Sequence, residues 1–371
     1  MHESAQVRVV RATSLTFPYS RTHDLYQEYY RNAIRSFSEA NHIVYTDKSE
    51  AYSPPALHKL RSLRHSYKLS KIIQKRPIAS FIDGIARMLS RGPLHPAFPV
   101  GCYHFTMSTG DSLAVAIDSM DSGDIFDEVA ARSDVYFKSN FWPARRYPDN
   151  VLPLPNMNPI VGQDIPFFTG LRNTPKDIDL FAFFRLWGGG NETDGIEHNI
   201  SLIESLAQVP CEKYLCAYLV AGDIPSLAKR LNSQGVHWTT DPMPKHELCG
   251  RAASARLNIV RLGMHECSPW RMIDILAMGG CPVIDYGPQT RWPIPLQENQ
   301  HYLNLRVAPH SKSKETVSEN VMQWLGTLGL TEEIGRNAAE YFDQHLAHLP
   351  LGEHIVSQCE AAAMVRSTRI S

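Results

Sequence analysis

The 371-residue chain lacks any run of 18 or more apolar residues, so its sequence offers no transmembrane helix. Its opening, Met1-His2-Glu3-Ser4-Ala5-Gln6, lacks the basic-then-apolar layout of a signal peptide. Its seven cysteines are Cys102, Cys211, Cys216, Cys249, Cys267, Cys281 and Cys359. Their number is odd, no CxxC occurs and most sit in apolar segments, which argues against a disulfide frame or a zinc site. Reduced, buried thiols in a cytoplasmic protein are expected instead. Neither charge is in excess: 37 Lys and Arg stand against 38 Asp and Glu, a net charge of -1. A protein that wraps nucleic acid usually shows a basic surplus, so a nucleic-acid partner is not expected. Internal repeats and low-complexity tracts are missing too.

What is present is an ordinary globular composition, 43% hydrophobic and 20% charged, which rules out disorder as the main state. At about 150 residues per domain the length suggests two domains. Val7-Arg8-Val9-Val10 reads as a strand, 25–40 as an amphipathic helix and 42–47 as a second strand, a β-α-β opening. Residues 56–91 then depart from the neutral whole, with nine Lys or Arg and one acid, Asp83. Such a run is either a solvated helical face or a contact for an anionic surface. Strands follow at 113–118 and 134–138, and five prolines between Pro148 and Pro166 mark a stiff segment where the domain boundary is expected.

From 178 onward, near-continuous apolar strands alternate with helices of about ten residues, the pattern of a parallel sheet covered on both faces. The expected fold is α/β, with two Rossmann-like domains facing across a cleft. Residues 1–165 would form an acceptor-side domain carrying the basic insertion 56–91. Residues 170–346 would bind a nucleotide, and 347–371 would form a tail packing back on the first domain. In open parallel sheets, ligands bind beyond the carboxyl ends of the strands. Functional residues should lie there.

The richest segment is 256–285. A strand runs into a loop holding His265, Glu266 and Ser268, and a helix begins near Pro269, with Ser268 expected as its N-cap. The positive end of that helix suits a phosphate. Arg271 in its first turn could add a two-pronged contact, and Asp274 could accept a ribose hydroxyl. The competing reading makes Arg271 and Asp274 a surface i, i+3 pair. The segment from Ser268 to Ile284 (SPWRMIDILAMGGCPVI) resembles the nucleotide-sugar segment of exostosin-type and related GT-B glycosyltransferases. That family carries a Ser, an Arg, an acid, a small-residue turn and a Pro-Val strand in this order. Arg336 to Asp343 is similar to the family's closing helix. Where the family usually has Glu, this chain has Asp274. The resemblance spans roughly 256–346. It implies a GT-B-like glycosyltransferase that moves a sugar from a nucleotide-sugar donor to a glycan or lipid-linked acceptor. The nucleotide-sugar is then a substrate, and no metal or other cofactor is required by these motifs.

Further candidates come from strand ends. Arg185 ends the first strand of the second half beside Gly188-Gly189-Gly190 and is a second phosphate candidate, although a plain turn explains the glycines equally well. Asp223 reads as the N-cap of the following helix. In the first half, Asp118, Asp121 and Asp124 stand just beyond a strand end. Sugar transfer needs a base for the acceptor hydroxyl proton, and Asp118 is the first candidate and Asp121 the second. Asp124 is better explained as a helix cap. Lys138, at the end of the next strand, could meet an acceptor or phosphate. His265 and Glu266 are the alternative acid–base residues, with loop packing as their competing role. A non-catalytic nucleotide- or anion-binding protein of the same architecture remains the second reading. Location at the cytoplasmic side, peripheral to a membrane through 56–91, is the corresponding expectation.

Overall fold

The computed structural model describes residues 7–15, 21–47, 100–186, 193–220, 223–262, 267–287, 290–307 and 314–370. The chain is α/β, with two six-stranded, parallel-rich sheets in two compact units. Unit 1 comprises Met1–Gln163, Thr290–Pro293 and Leu346–Ser371, and unit 2 comprises Asp164–Gln289 and Ile294–His345. All seven cysteines are free thiols. No helix among the described residues is long and apolar enough to cross a membrane.

The sheet of unit 1 holds β1 (Val9–Ser14), β2 (Val44–Asp47), β3 (Val100–Met107), β4 (Ser112–Asp118), β5 (Val135–Lys138) and β6 (Val151–Pro153), in the order β2-β1-β3-β4-β5-β6. It is not wholly parallel: β3 runs antiparallel to both β1 and β4, while β1–β2 and β4–β5–β6 are parallel. A tight turn is the cause. Met107 donates its N–H to the Asp111 carbonyl and accepts from Gly110, so β3 and β4 form a hairpin that leaves no room for a crossover helix.

Helix α1 (Arg21–Ala40) buries Gln27, Tyr30, Ile34 and Ser38 at intervals of three or four, and Tyr29, Arg31 and Ala33 beside them widen the buried face. Along α1 packs the C-terminal helix α11 (His348–Ile370), which buries Leu351, Ile355, Cys359 and Ala363 at intervals of four. Tyr29 donates from its hydroxyl to the Leu346 carbonyl at 2.9 Å. Unit 1 also holds two short helices, α2 (Asp127–Ala130) and α3 (Pro159–Gln163), among the described residues. Asp124 does not cap α2: the N-cap is Phe126, without a side-chain bond, and Asp124 pairs with Arg145.

The His348 ring lies edge-on to Tyr29, 4.7 Å between centroids, and its Nε2 is buried without a hydrogen-bond partner. Burial holds its pKa down to about 4. A histidine whose folded pKa lies below its unfolded value weakens the fold as pH falls through that interval, because the unfolded chain binds the extra proton. From pH 7 to pH 5 this group alone should remove about 2 kcal/mol of stability from unit 1. His348→Phe, which keeps a ring against Tyr29, should flatten the dependence of urea midpoint on pH across that range. An unchanged slope would remove His348 as the acid-sensitive group.

Unit 2 is purely parallel. Its strands are β7 (Ile178–Leu186), β8 (Lys213–Leu219), β9 (His237–Thr239), β10 (Ala255–Val260), β11 (Pro282–Ile284) and β12 (Leu303–Asn304), in the order β12-β11-β10-β7-β8-β9. Numbered within the unit this is 6-5-4-1-2-3, the doubly wound arrangement of dinucleotide-binding domains. The helices are α4 (Ile165–Gly170), α5 (Thr193–Ala207), α6 (Ile224–Asn232), α7 (Lys245–Ala253), α8 (Trp270–Ala277), α9 (Lys314–Gly326) and α10 (Leu330–Tyr341). Asp223 is the N-cap of α6, accepting from the Ser226 N–H at 3.3 Å. One sheet face, with Ala182, Phe184, Leu186, Leu215, Ala217, Leu219, Leu257 and Ile259, shares a core with α5, α6 and α9. The turn after α8 is set by glycine: Gly279 has φ +64°, and a Cβ on Gly335 of α10 would stand 2.5 Å from the Gly279 carbonyl oxygen. This close approach explains the small-residue turn Gly279-Gly280 before β11.

Candidate functional site

The strand order of unit 2 reverses between β7 and β10: the chain leaves β7 toward β8 and β9, and leaves β10 toward β11 and β12. The crevice outside the carboxyl ends of two such strands is where doubly wound sheets bind ligands. Arg185, the penultimate residue of β7, is exposed at this edge. Residues 181, 183 and 185 alternate onto the sheet face opposite the α5 core, in register with Tyr214, Cys216 and Tyr218 of β8. Phe181 stacks on Tyr214 at 5.8 Å and 6°, and Phe183 tilts against Tyr218 at 6.5 Å.

Two arginines lie over these rings. Arg251 of α7 covers Tyr214 at 4.4 Å and pairs with Glu247 on its own helix. Arg271, in the first turn of α8, covers Phe183 at 5.1 Å. Among the described residues neither Arg271 nor Arg185 has a carboxylate partner. Burial pulls the Arg271 pKa below the ordinary arginine value, with the charge of Asp274 opposing, and the guanidinium remains a cation. Two cations, one half-buried on an aromatic ring, thus stand on the same side of the switch point. The arrangement suits a phosphate.

Asp274 is placed differently from the sequence reading. It is buried on α8, and Lys245 of α7 donates to its carboxylate while lying 5.6 Å from the Phe168 ring. No salt bridge joins Asp274 to Arg271, and Lys245 holds one of its two carboxylate oxygens. Ser268 is buried just ahead of α8, but the N-cap is Pro269 in extended backbone with no side-chain bond, so the cap expected of Ser268 is corrected. His265, Glu266, Gly188-Gly189-Gly190 and the basic run 56–91 lie outside the described residues.

On the β10–β11 side sits a group that sequence reasoning missed. The Asp285 carboxylate, fully buried at the end of β11, accepts from the backbone N–H groups of Leu262 and Tyr286, both at 3.2 Å. His198 Nε2 of α5 is 3.4 Å away and Arg261 Nε 3.6 Å. One carboxylate therefore ties together the ends of β10 and β11 and the helix that follows β7. Nothing in the spacing of residues 198, 261 and 285 announces this, because only the strand order brings them together.

In unit 1, Asp118 and Lys138 face each other across the parallel pair β4–β5, with Nζ 3.1 Å from Oδ2 and both side chains fully buried. Tyr136 donates from its hydroxyl to the same carboxylate at 2.6 Å. Burial pulls the Lys138 pKa down while Asp118 opposes it, and burial with the Asp118 charge pushes the Tyr136 phenol up. Neither the acceptor-base role expected of Asp118 nor the ligand contact expected of Lys138 fits this enclosure: each is the other's partner, with no surface to offer. Asp121, three residues on, is half-buried just beyond the strand end. No cluster of three or more His, Cys, Asp or Glu able to hold a metal occurs among the described residues.

No protein-family model matches the chain, and no curated protein matches it. Among solved structures it is similar to Anabaena Alr3699/HepE in complex with UDP, at 13% identity and TM-score 0.48, over 95% of this chain and 100% of that one. The UDP-glucose complex of the same protein matches at 14% identity and TM-score 0.46, over 91% and 94%. The C-terminal domain of a group 1 family glycosyl transferase (LpcC) from Francisella tularensis matches at 12% identity and TM-score 0.33, over 48% of this chain and 91% of that one.

Proposed function

We propose that the protein is a glycosyltransferase that moves a sugar from a nucleotide-sugar donor to a hydroxyl of a glycan or lipid-linked acceptor. The observation that carries this reading is the pair Arg185 and Arg271 at the switch-point edge of the unit 2 sheet, with Arg271 seated on Phe183. In this role the two guanidiniums neutralise the phosphates of the donor, and they do most as the nucleoside diphosphate leaves and gains charge. The acceptor oxygen bonds to the anomeric carbon, and the bond from that carbon to the phosphate oxygen breaks. Its electron pair departs with the nucleotide. The hydroxyl proton goes to a carboxylate, and Asp121 takes that role in place of the enclosed Asp118. Lipid-linked acceptors fit the basic run 56–91, whose nine cations would hold the protein to an anionic surface. Co-sedimentation with anionic vesicles that is absent at low salt would remove that part of the proposal.

A panel of UDP, GDP, ADP and CMP, followed by thermal shift, tests the donor site first. At least one should raise the melting temperature, and its sugar conjugate should then be consumed when acceptors are supplied. No shift with any member would overturn the reading. A shift without consumption of any conjugate would favour the alternative, a nucleotide-binding protein without transfer. Asp121→Asn should lower kcat by about 10²–10⁴ and leave nucleotide affinity unchanged.

A further inference from the structure

The chain beside Asp121 is held through a single peptide residue. Met120 donates its N–H to Asp118 Oδ1 at 2.8 Å. Its carbonyl accepts from Lys138 Nζ at 3.0 Å and from Asn140 Nδ2 at 2.8 Å. Behind it, Gln27 Nε2 donates to the Ile117 carbonyl at 3.1 Å and to Ser119 Oγ at 3.0 Å. Asp118, Lys138 and Asn140 have no exposed surface, and Ser119 has 2%.

This enclosure is costly to build. Removing a carboxylate and an ammonium from water costs several kcal/mol per ion, and an apolar pair of similar volume commonly serves a core as well or better. Packing alone therefore gives no reason for charges here. What an apolar pair could not do is satisfy both polar groups of Met120, one with an acceptor and the other with two donors. The residue after that peptide is Asp121.

We propose that Asp118 and Lys138, assisted by Asn140, are positioning residues that lock Met120 and so hold Asp121 in place as the proton acceptor. The proposal rests on the reading of Asp121 as the base. Catalysis is sensitive to such locking, since misplacing a reacting group by about 1 Å can cost roughly 100-fold in rate.

The decisive variant is the double substitution Asp118→Asn with Lys138→Met, which removes both charges and leaves neither buried ion unpaired. Hydrogen–deuterium exchange of the backbone amides of residues 119–122 is compared with that of the parent. In parallel, UDP release from UDP-glucose with water as acceptor gives kcat and KM. The expected result is exchange at least tenfold faster at Met120 and Asp121. With it, kcat should fall about 10- to 100-fold while KM for UDP-glucose stays within twofold.

Unchanged exchange and kcat in a folded double variant would overturn the proposal, as would equal changes in kcat and KM. If the double variant does not fold, Asn140→Ala decides, since it removes one of two donors to the Met120 carbonyl and should shift exchange and kcat in the same directions by a smaller factor. Asp121→Asn with parental turnover would sink the base reading, while the exchange comparison still reports on the lock. If the parent releases no UDP from UDP-glucose, the exchange comparison decides alone.

Discussion

Gly352→Ala is expected to destabilise unit 1 by about 3 kcal/mol, and Gly352→Val by more. A Cβ at this position would stand 2.1 Å from the Ala33 carbonyl oxygen and 2.7 Å from Phe37 Cβ. The first of these is backbone in the middle of α1, so no side-chain rotation relieves the overlap. The two helices must separate by roughly 1 Å. That separation would loosen the buried stripe Leu351, Ile355 and Cys359 from Ala33 and Ile34. Helix propensity works the other way, favouring Ala over Gly by about 1 kcal/mol, and the overlap outweighs it. Gly250→Ala in α7 is the matched control: it meets nothing within 4 Å and should raise stability slightly. Urea midpoints with hydrogen exchange over residues 21–40 and 348–370 make the comparison. Parental values for Gly352→Ala would show that α11 does not pack on α1 through this glycine.

The pairing of α1 with α11 shows where the sequence is legible. Helix α1 announces itself by apolar residues at three- and four-residue spacing, because that period is local, whereas residues 347–371 read only as a tail and the structure makes 348–370 a helix. Their contact is not local: it joins residues more than 300 positions apart, and the only trace is a glycine whose close approach no periodicity reveals. The same division runs through the sheets. The parallel pattern of unit 2 follows from strands and helices in alternation, whereas β12 is two residues long, too short for any periodic signal. In unit 1 the strand at 113–118 is readable, but its antiparallel pairing with β3 depends on the turn between them.

The site divides likewise. Arg185 and Arg271 read as phosphate candidates because strand ends and helix starts are set by local residues, and the structure places one at the end of β7 and the other over Phe183 of the same strand. Asp118 and Lys138 meet the same rule, but burial makes each the other's partner. A charge at a strand end looks alike in sequence whether it faces solvent or a partner on the next element. Lys245 and Asp274 lie 29 residues apart, and Asp118 and Lys138 lie 20 apart, so no helical or strand spacing couples them. Phe183 and Tyr218 escape a sequence reading for a related reason: aromatic residues in strands read as core, and only the pairing of β7 with β8 brings the two rings together, with Arg271 over Phe183.

Arg271→Ala is expected to weaken nucleoside diphosphate binding by roughly 10- to 150-fold, with the fold intact. A charge-assisted hydrogen bond to a phosphate contributes about 1.5–3 kcal/mol, which converts to that range of affinity. The upper part of the range applies when the cation is withdrawn from water, and Arg271 is half-buried against Phe183 with its pKa pulled down by burial. Arg271→Lys should recover only part of the loss, because an ammonium cannot make two parallel contacts or stack on the ring in the same way. Arg185→Ala should act in the same direction with a smaller effect, since its exposed guanidinium is more fully screened. Arg251→Ala supplies the control. That residue also lies over an aromatic ring of the same sheet face, but it is paired with Glu247 and sits over Tyr214, further from the carboxyl ends of the strands. Its loss should leave nucleotide affinity within about twofold of the parent, below the 1.4 kcal/mol that a tenfold change represents. Calorimetric titration with the nucleotide identified by thermal shift, at one fixed salt concentration, measures all four variants. Parental affinity in a folded Arg271→Ala would take the phosphate away from α8. Equal losses in Arg251→Ala and Arg271→Ala would mean that positive charge on this face, rather than its placement at the switch point, attracts the nucleotide.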